Sequence, residues 1–131
     1  MSDYNKITFI GNLGSDPDLR FTPQGKAVAS FNVACNQTYK RDGEKVKDTT
    51  WFRVSCFGAQ AENVKQYLHK GDQVHVEGRL TPDKDTGSPH IWNGSDGTPK
   101  ASYEVIAFDV QFLKTKSALE KQQPIEEDMP F

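Results

Sequence analysis

Long apolar runs are missing from this chain. Val, Ile and Phe come in short clusters, apolar residues make up 35% of the 131 positions and charged residues 26%, and nothing approaches the roughly 20-residue apolar stretch of a membrane span. Cysteine is scarce. Cys35 and Cys56 lack a CxxC or Cys/His spacing, which predicts buried free thiols in a reducing compartment and neither a disulfide nor a metal site. The opening MSDYNKITFIG has neither the basic start nor the apolar stretch of about 7–15 residues found in a secretory signal, so export is not expected and a cytoplasmic location is. Catalytic motifs are absent as well. There is no GxSxG, GxxxxGK[ST] or HExxH, and His69, His75 and His90 stand apart from any evident nucleophile, so neither an enzyme nor a cofactor is expected. Positive charge is not in excess. The net charge is −2, and residues 1–121, with all 16 Lys+Arg and 15 of the 18 Asp+Glu, stand at +1 against −3 for 122–131. Global basicity, the usual footprint of a nucleic-acid binder, is lacking, so such a function must rest on where particular side chains point.

What is present is alternation. Ile7 and Phe9 precede Gly11 in a first strand, and a short strand is expected around Leu19 to Phe21 between Pro17 and Pro23. In the next segment Ala27, Ala29, Phe31, Val33 and Cys35 take every second place, the pattern of a half-buried strand. Asp42-Gly43 then marks a hairpin turn with a basic tip. The return strand WFRVSCF sets Phe52, Val54 and Cys56 on one face and Trp51, Arg53, Ser55 and Phe57 on the other. Ala61, Val64 and Leu68 have helical spacing within residues 59–70, ahead of Gly71. Val74, Val76 and Leu80 define a further strand, and Ile106, Phe108, Val110 and Phe112 the last, with residues 82–100 between them read as a long hairpin loop containing Trp92. Three strands, a helix and two more strands predict an all-β fold with small α content, a five-stranded OB barrel whose helix bridges strands three and four. Beyond Leu113 the periodicity is lost, and a disordered polar tail is expected.

The aromatics that fall outside this apolar pattern carry the functional signal. Trp51, Arg53 and Phe57 rise from one strand face among polar neighbours, while Tyr39 ends a strand and Trp92 lies in the long loop. Stacking an unpaired base on such a ring contributes about 1–3 kcal/mol and is nearly blind to sequence. Duplex DNA offers no free base faces. With Arg41, Lys45, Lys47 and Arg53 to track phosphates, the platform predicts single-strand binding that weakens with salt.

Four ordered segments, ITFIGNLGSDPDLRFTPQGKAVASFNVA, TTWFRVSCFGAQAENVKQYLHKGDQVHVEGRL, YEVIAFDVQFL and the closing DMPF, resemble bacterial single-stranded DNA-binding protein across essentially the whole chain. The resemblance implies a homotetrameric OB fold that coats single-stranded DNA without sequence preference in replication, recombination and repair. It implies stacking residues at Tyr39, Trp51, Phe57 and Trp92 and basic contacts at Lys6, Arg20, Arg53 and Lys70. Residues 1–113 are then the DNA-binding and oligomerisation domain. Residues 114–131 are a short flexible tail whose acidic tip, Glu126, Glu127, Asp128, Met129, Pro130 and Phe131, binds replication and repair proteins near the nucleoid. An adaptor of replication-restart type, contacting mainly proteins, is the alternative. The chain departs from the family pattern at Ala59, where many relatives place a lysine, and at Asp83, Asp85 and Asp96 in a hairpin that is commonly more basic.

Overall fold

The structure, a computed structural model, describes residues 3–114. Its elements in chain order are β1 (Ile7–Leu13), β2 (Asp18–Phe21), β3 (Ala27–Arg41), β4 (Glu44–Phe57), α1 (Ala59–Tyr67), β5 (Gln73–Thr81), β6 (His90–Asn93) and β7 (Pro99–Lys114). Five of the strands close on themselves. Neighbours run β1-β5-β7-β4-β3, and β1 completes the ring by pairing Asn12 with Ala34 and Leu13 with Val33 on β3. Closure removes the exposed edges that an open sheet would leave. Gly11 permits it, because a Cβ there would strike the carbonyl of Ala34. The expected barrel is therefore present, and α1 joins β4 to β5, its third and fourth strands.

Alternation explains what fills the interior. Ala29, Phe31 and Val33 of β3 meet Cys56, Val54 and Phe52 of β4 in register, and all six are buried. Phe9 and Phe52 stack inside at 4.2 Å between ring centroids, 15° from parallel. Ala61 and Val64 of α1, together with Leu68 just past its end, join the same core. Burial also raises the Cys56 thiol from 9.0 to about 11, so it stays protonated as a small apolar filler.

Strict alternation misplaces the last strand. Val105 and Ala107 are the buried residues of β7, whereas Phe108 is 58% exposed and Ile106 is only partly covered. The register shifts between Glu77 and Gly78 of β5: Gly78 pairs with Ala107 and Glu77 with Asp109, which leaves Phe108 as an extra residue. Such a bulge exchanges the two faces of a strand, so Val110, and not Ile106, packs against the core beyond it. Leu80, expected beside Val74 and Val76, stands exposed at the end of β5.

The segment 82–100 is not a plain loop. β6 pairs with the start of β7 from His90 against Ser102 to Asn93 against Pro99, so Trp92 sits on a strand. Asp83 and Asp96 fold the turns on either side. Their carboxylates accept from the backbone N–H groups of Asp85 at 2.8 Å and Thr98 at 3.0 Å, and those bonds hold both below the usual carboxylate range. Among the described residues no helix is long and apolar enough to cross a membrane.

Candidate nucleic-acid interface

The outer face of β4 carries the site. Phe52, Val54 and Cys56 are turned into the core, so the pleat turns Trp51, Arg53, Ser55 and Phe57 outward. Trp51 is 52% and Phe57 38% exposed. At about 3.3 Å per residue the two rings stand roughly 20 Å apart along the strand.

Trp51 and Arg53 line an open groove of about 470 Å³ whose other walls are His90 and Trp92 of β6, Asn32 of β3, and Ser102 and Glu104 of β7. The fold thus brings three of the expected residues together. Trp92 is 41% exposed, and the His90 ring lies beside it, 5.8 Å away and 17° from parallel. Trp51 is seated by an absence. A Cβ on Gly14 would stand 2.5 Å from its Cζ3 and 2.8 Å from its Cη2, so the indole rests directly over a glycine backbone. Asn32 and Arg53 also border a smaller recess of about 140 Å³ with Ser15, Asp16 and Asp18, which continues the surface depression towards β2.

Phe57 anchors a second cluster at the far end of the same face. Val28 pairs with Phe57 across β3–β4 and with Arg20 across β2–β3, so register places Arg20, Val28 and Phe57 in one outward row. Lys26 Nζ lies 5.3 Å from the Phe57 ring centroid, a cation–π approach. Lys26 carried no signal in the sequence; it precedes a strand, and only the fold sets it over the ring.

Towards the other end, β3 and β4 leave the barrel as an exposed two-stranded arm closed by Asp42 and Gly43 at φ 53° and 81°. Two positive φ angles are what a tight two-residue hairpin requires, as Asp-Gly predicts. Along the arm, Lys40 pairs with Lys45 and Thr38 with Lys47, and these lysines share the pleat face of Trp51 and Arg53. Like charges directly opposite each other are unfavourable. A bound anion relieves that repulsion.

Other expected residues fall elsewhere. Tyr39, paired with Val46, and Arg41, paired with Glu44, occupy the opposite pleat face of the arm. A hydrogen bond to Asp48 raises the Tyr39 phenol above its ordinary range. Lys6 forms a 3.0 Å ion pair with Glu77 beside β1 and β5, away from the groove, and the associated hydrogen bond raises the Lys6 ammonium. Arg20 is the exception: it stays in the Phe57 row, its Nε donating to Asp18 at 2.8 Å. Lys70 donates its backbone N–H to Asp16 at 2.8 Å, which places it beside the smaller recess. The acidic tip, Glu126 and Glu127 through Phe131, lies outside the described residues.

A closed five-stranded barrel with one helix, carrying exposed aromatics and cations along one strand face, defines an OB-fold protein of the kind that accepts oligonucleotides on its surface. Comparison narrows that class. Residues 4–113 match the single-strand binding protein family, and the chain belongs to this family. It is 35% identical over 124 residues to a single-stranded DNA-binding protein of Neisseria meningitidis, covering 94% of this chain and 67% of that protein. It is 41% identical over 110 residues to one of Xanthomonas axonopodis pv. citri, covering 83% and 57%. The solved Plasmodium falciparum SSB complex with ssDNA superposes with a TM-score of 0.68 at 29% identity, covering 87% of this chain and 98% of that one.

Proposed function

We propose that this protein binds single-stranded DNA without regard to sequence and shields it, through stacking on Trp51, Trp92 and Phe57 and through phosphate contacts from Arg53, Lys45, Lys47, Lys26 and Arg20. The observation that carries the reading is the open groove in which Trp51, Arg53 and Trp92 converge, in a chain whose relatives are named for single-stranded DNA binding. Rings that stack bases select for bases freed from a partner strand, because a duplex hides its π faces. Cations that meet only phosphates add affinity without discrimination among bases.

On this reading the protein coats strands opened in replication, recombination and repair in the bacterial cytoplasm, at the nucleoid. It works as a homotetramer, and the acidic segment ending in Met129, Pro130 and Phe131 recruits partner proteins. An apolar ring behind three acids suits a pocket rimmed by Arg or Lys. Tyr39, Arg41, Lys6 and Lys70 are secondary contacts, reached only if a strand wraps beyond the groove.

The test is a titration with oligo(dT) followed by tryptophan emission, alongside a mass measurement in solution. Strong quenching is expected, and a mixed-sequence strand should bind comparably. Trp51→Ala should lower affinity by about 1–3 kcal/mol. Weak binding to both strands at low salt would overturn the proposal.

A further inference from the structure

His90 occupies a position that neither its sequence context nor the stacking platform explains. It stands on β6 two residues before Trp92, so both side chains leave the same face of the strand, and both line the groove with Trp51 and Arg53. Its ring is fixed twice over. Nδ1 lies 3.2 Å from Asp83 Oδ2, and the imidazole plane is 17° from that of Trp92. Asp83 is itself held by the Asp85 N–H at 2.8 Å. A histidine whose Nδ1 is engaged by a carboxylate has a set ring orientation and presents Nε2 as its remaining polar atom. Half of its side chain is solvent-exposed, which leaves it open to a ligand.

We propose that His90 is a further DNA-contacting residue, anchored through Nδ1–H by Asp83 and stacked on Trp92 so that, when the imidazole is protonated, its Nε2–H donates to a phosphate oxygen of the bound strand. This rests on the single-strand reading of the groove. The charged groups facing His90 come from three elements: Asp83 in the segment before β6, Arg53 on β4, and Lys100 and Glu104 on β7. Glu104 is the acid among the groove-lining residues. A phosphate arriving beside Nε2 adds negative charge, so binding and protonation support each other. The linkage follows: if the strand favours His90 in its charged form, binding takes up a proton, and affinity rises as pH falls and is lost as pH rises.

The experiment measures oligo(dT) affinity of the full chain at fixed ionic strength between about pH 8 and about pH 5.5, the interval over which imidazoles ordinarily change charge. The parent protein should tighten about 3- to 10-fold on acidification, the scale of one ordinary net hydrogen bond at a half-exposed site. His90→Gln should bind within about twofold of the parent at the alkaline end and lose most of the gain at the acid end. His69→Gln and His75→Gln serve as controls and should keep the parental gain. If His90→Gln tightens on acidification as much as the parent does, or if the gain disappears in the His69 or His75 variant instead, the proposal is overturned. A parent that fails to bind oligo(dT) at any pH would overturn the underlying reading, an outcome separate from a pH-independent parent, which would overturn His90 alone.

Discussion

Trp51 owes its position to a residue with no side chain. Its indole lies against Gly14, where a Cβ would come within 2.5 Å of the ring, so the aromatic can sit low in the groove with one face open to a base. Gly14→Ala must push the ring outward. The substitution is expected to reduce oligo(dT) affinity by about 3- to 30-fold, part of the effect of losing the ring altogether, with a melting temperature close to that of the parent. Unchanged affinity together with unchanged tryptophan quenching would show that this seat is not needed. The pairing could not be read from the chain, because Gly14 and Trp51 are far apart in sequence and glycine carries no chemical signature of its own. Tyr39 teaches the converse. Its aromatic character suggested stacking, yet register sets it on the opposite pleat face from Trp51, tied to Asp48.

At the scale of elements, the β3–β4 arm and the β6–β7 pairing decide how far the site extends. The arm lifts Lys40, Lys45 and Lys47 along the face that continues from Trp51, while Arg41 takes the other face. Replacing both Lys45 and Lys47 with alanine is expected to flatten the plot of log affinity against log salt by about 1.4, at roughly 0.7 for each phosphate contact. Arg41→Ala should flatten it less. Equal effects from Arg41 and from either lysine would contradict the assignment of faces. Alternation foretold the faces of β3 and β4 because those strands pair without interruption from Val28–Phe57 to Arg41–Glu44. It failed on β7, where one extra residue at Phe108 exchanges inside and outside. A bulge is set by the partner strand, so the β7 sequence read alone gave no warning of it. β6 was missed for a related reason: HIWN is too short to show a period and is extended because β7 lies alongside it.

At the scale of the whole molecule, the near-neutral charge of residues 1–121 is consistent with a strand binder because the cations are placed and not merely abundant. Arg53, Lys45, Lys47, Arg20 and Lys26 gather on the β2–β3–β4 face, whereas several acids are spent on structure, Asp83 and Asp96 in turns and Glu77 against Lys6. The acidic segment proposed for partner recruitment is separate from this face in sequence. Deleting residues 129–131 should abolish binding to partner proteins and leave oligo(dT) affinity unchanged or slightly higher, since the deletion spares every proposed DNA contact. A marked fall in DNA affinity on deletion would place the segment within the DNA site.

The sequence by itself determined the order of the main strands, the helix between the third and fourth of them, the Asp-Gly hairpin and the outward set of Trp51, Arg53 and Phe57. All of these follow from local rules, the period of two, the helical spacing and the turn preference, which act over a few residues. Only the tertiary structure decided that Trp92 and His90 face Trp51 across one groove, that Lys26 covers Phe57, that Gly14 seats Trp51 and that Lys6 is engaged by Glu77. Those relations join residues distant along the chain. They depend on barrel closure and strand register, which no local pattern encodes.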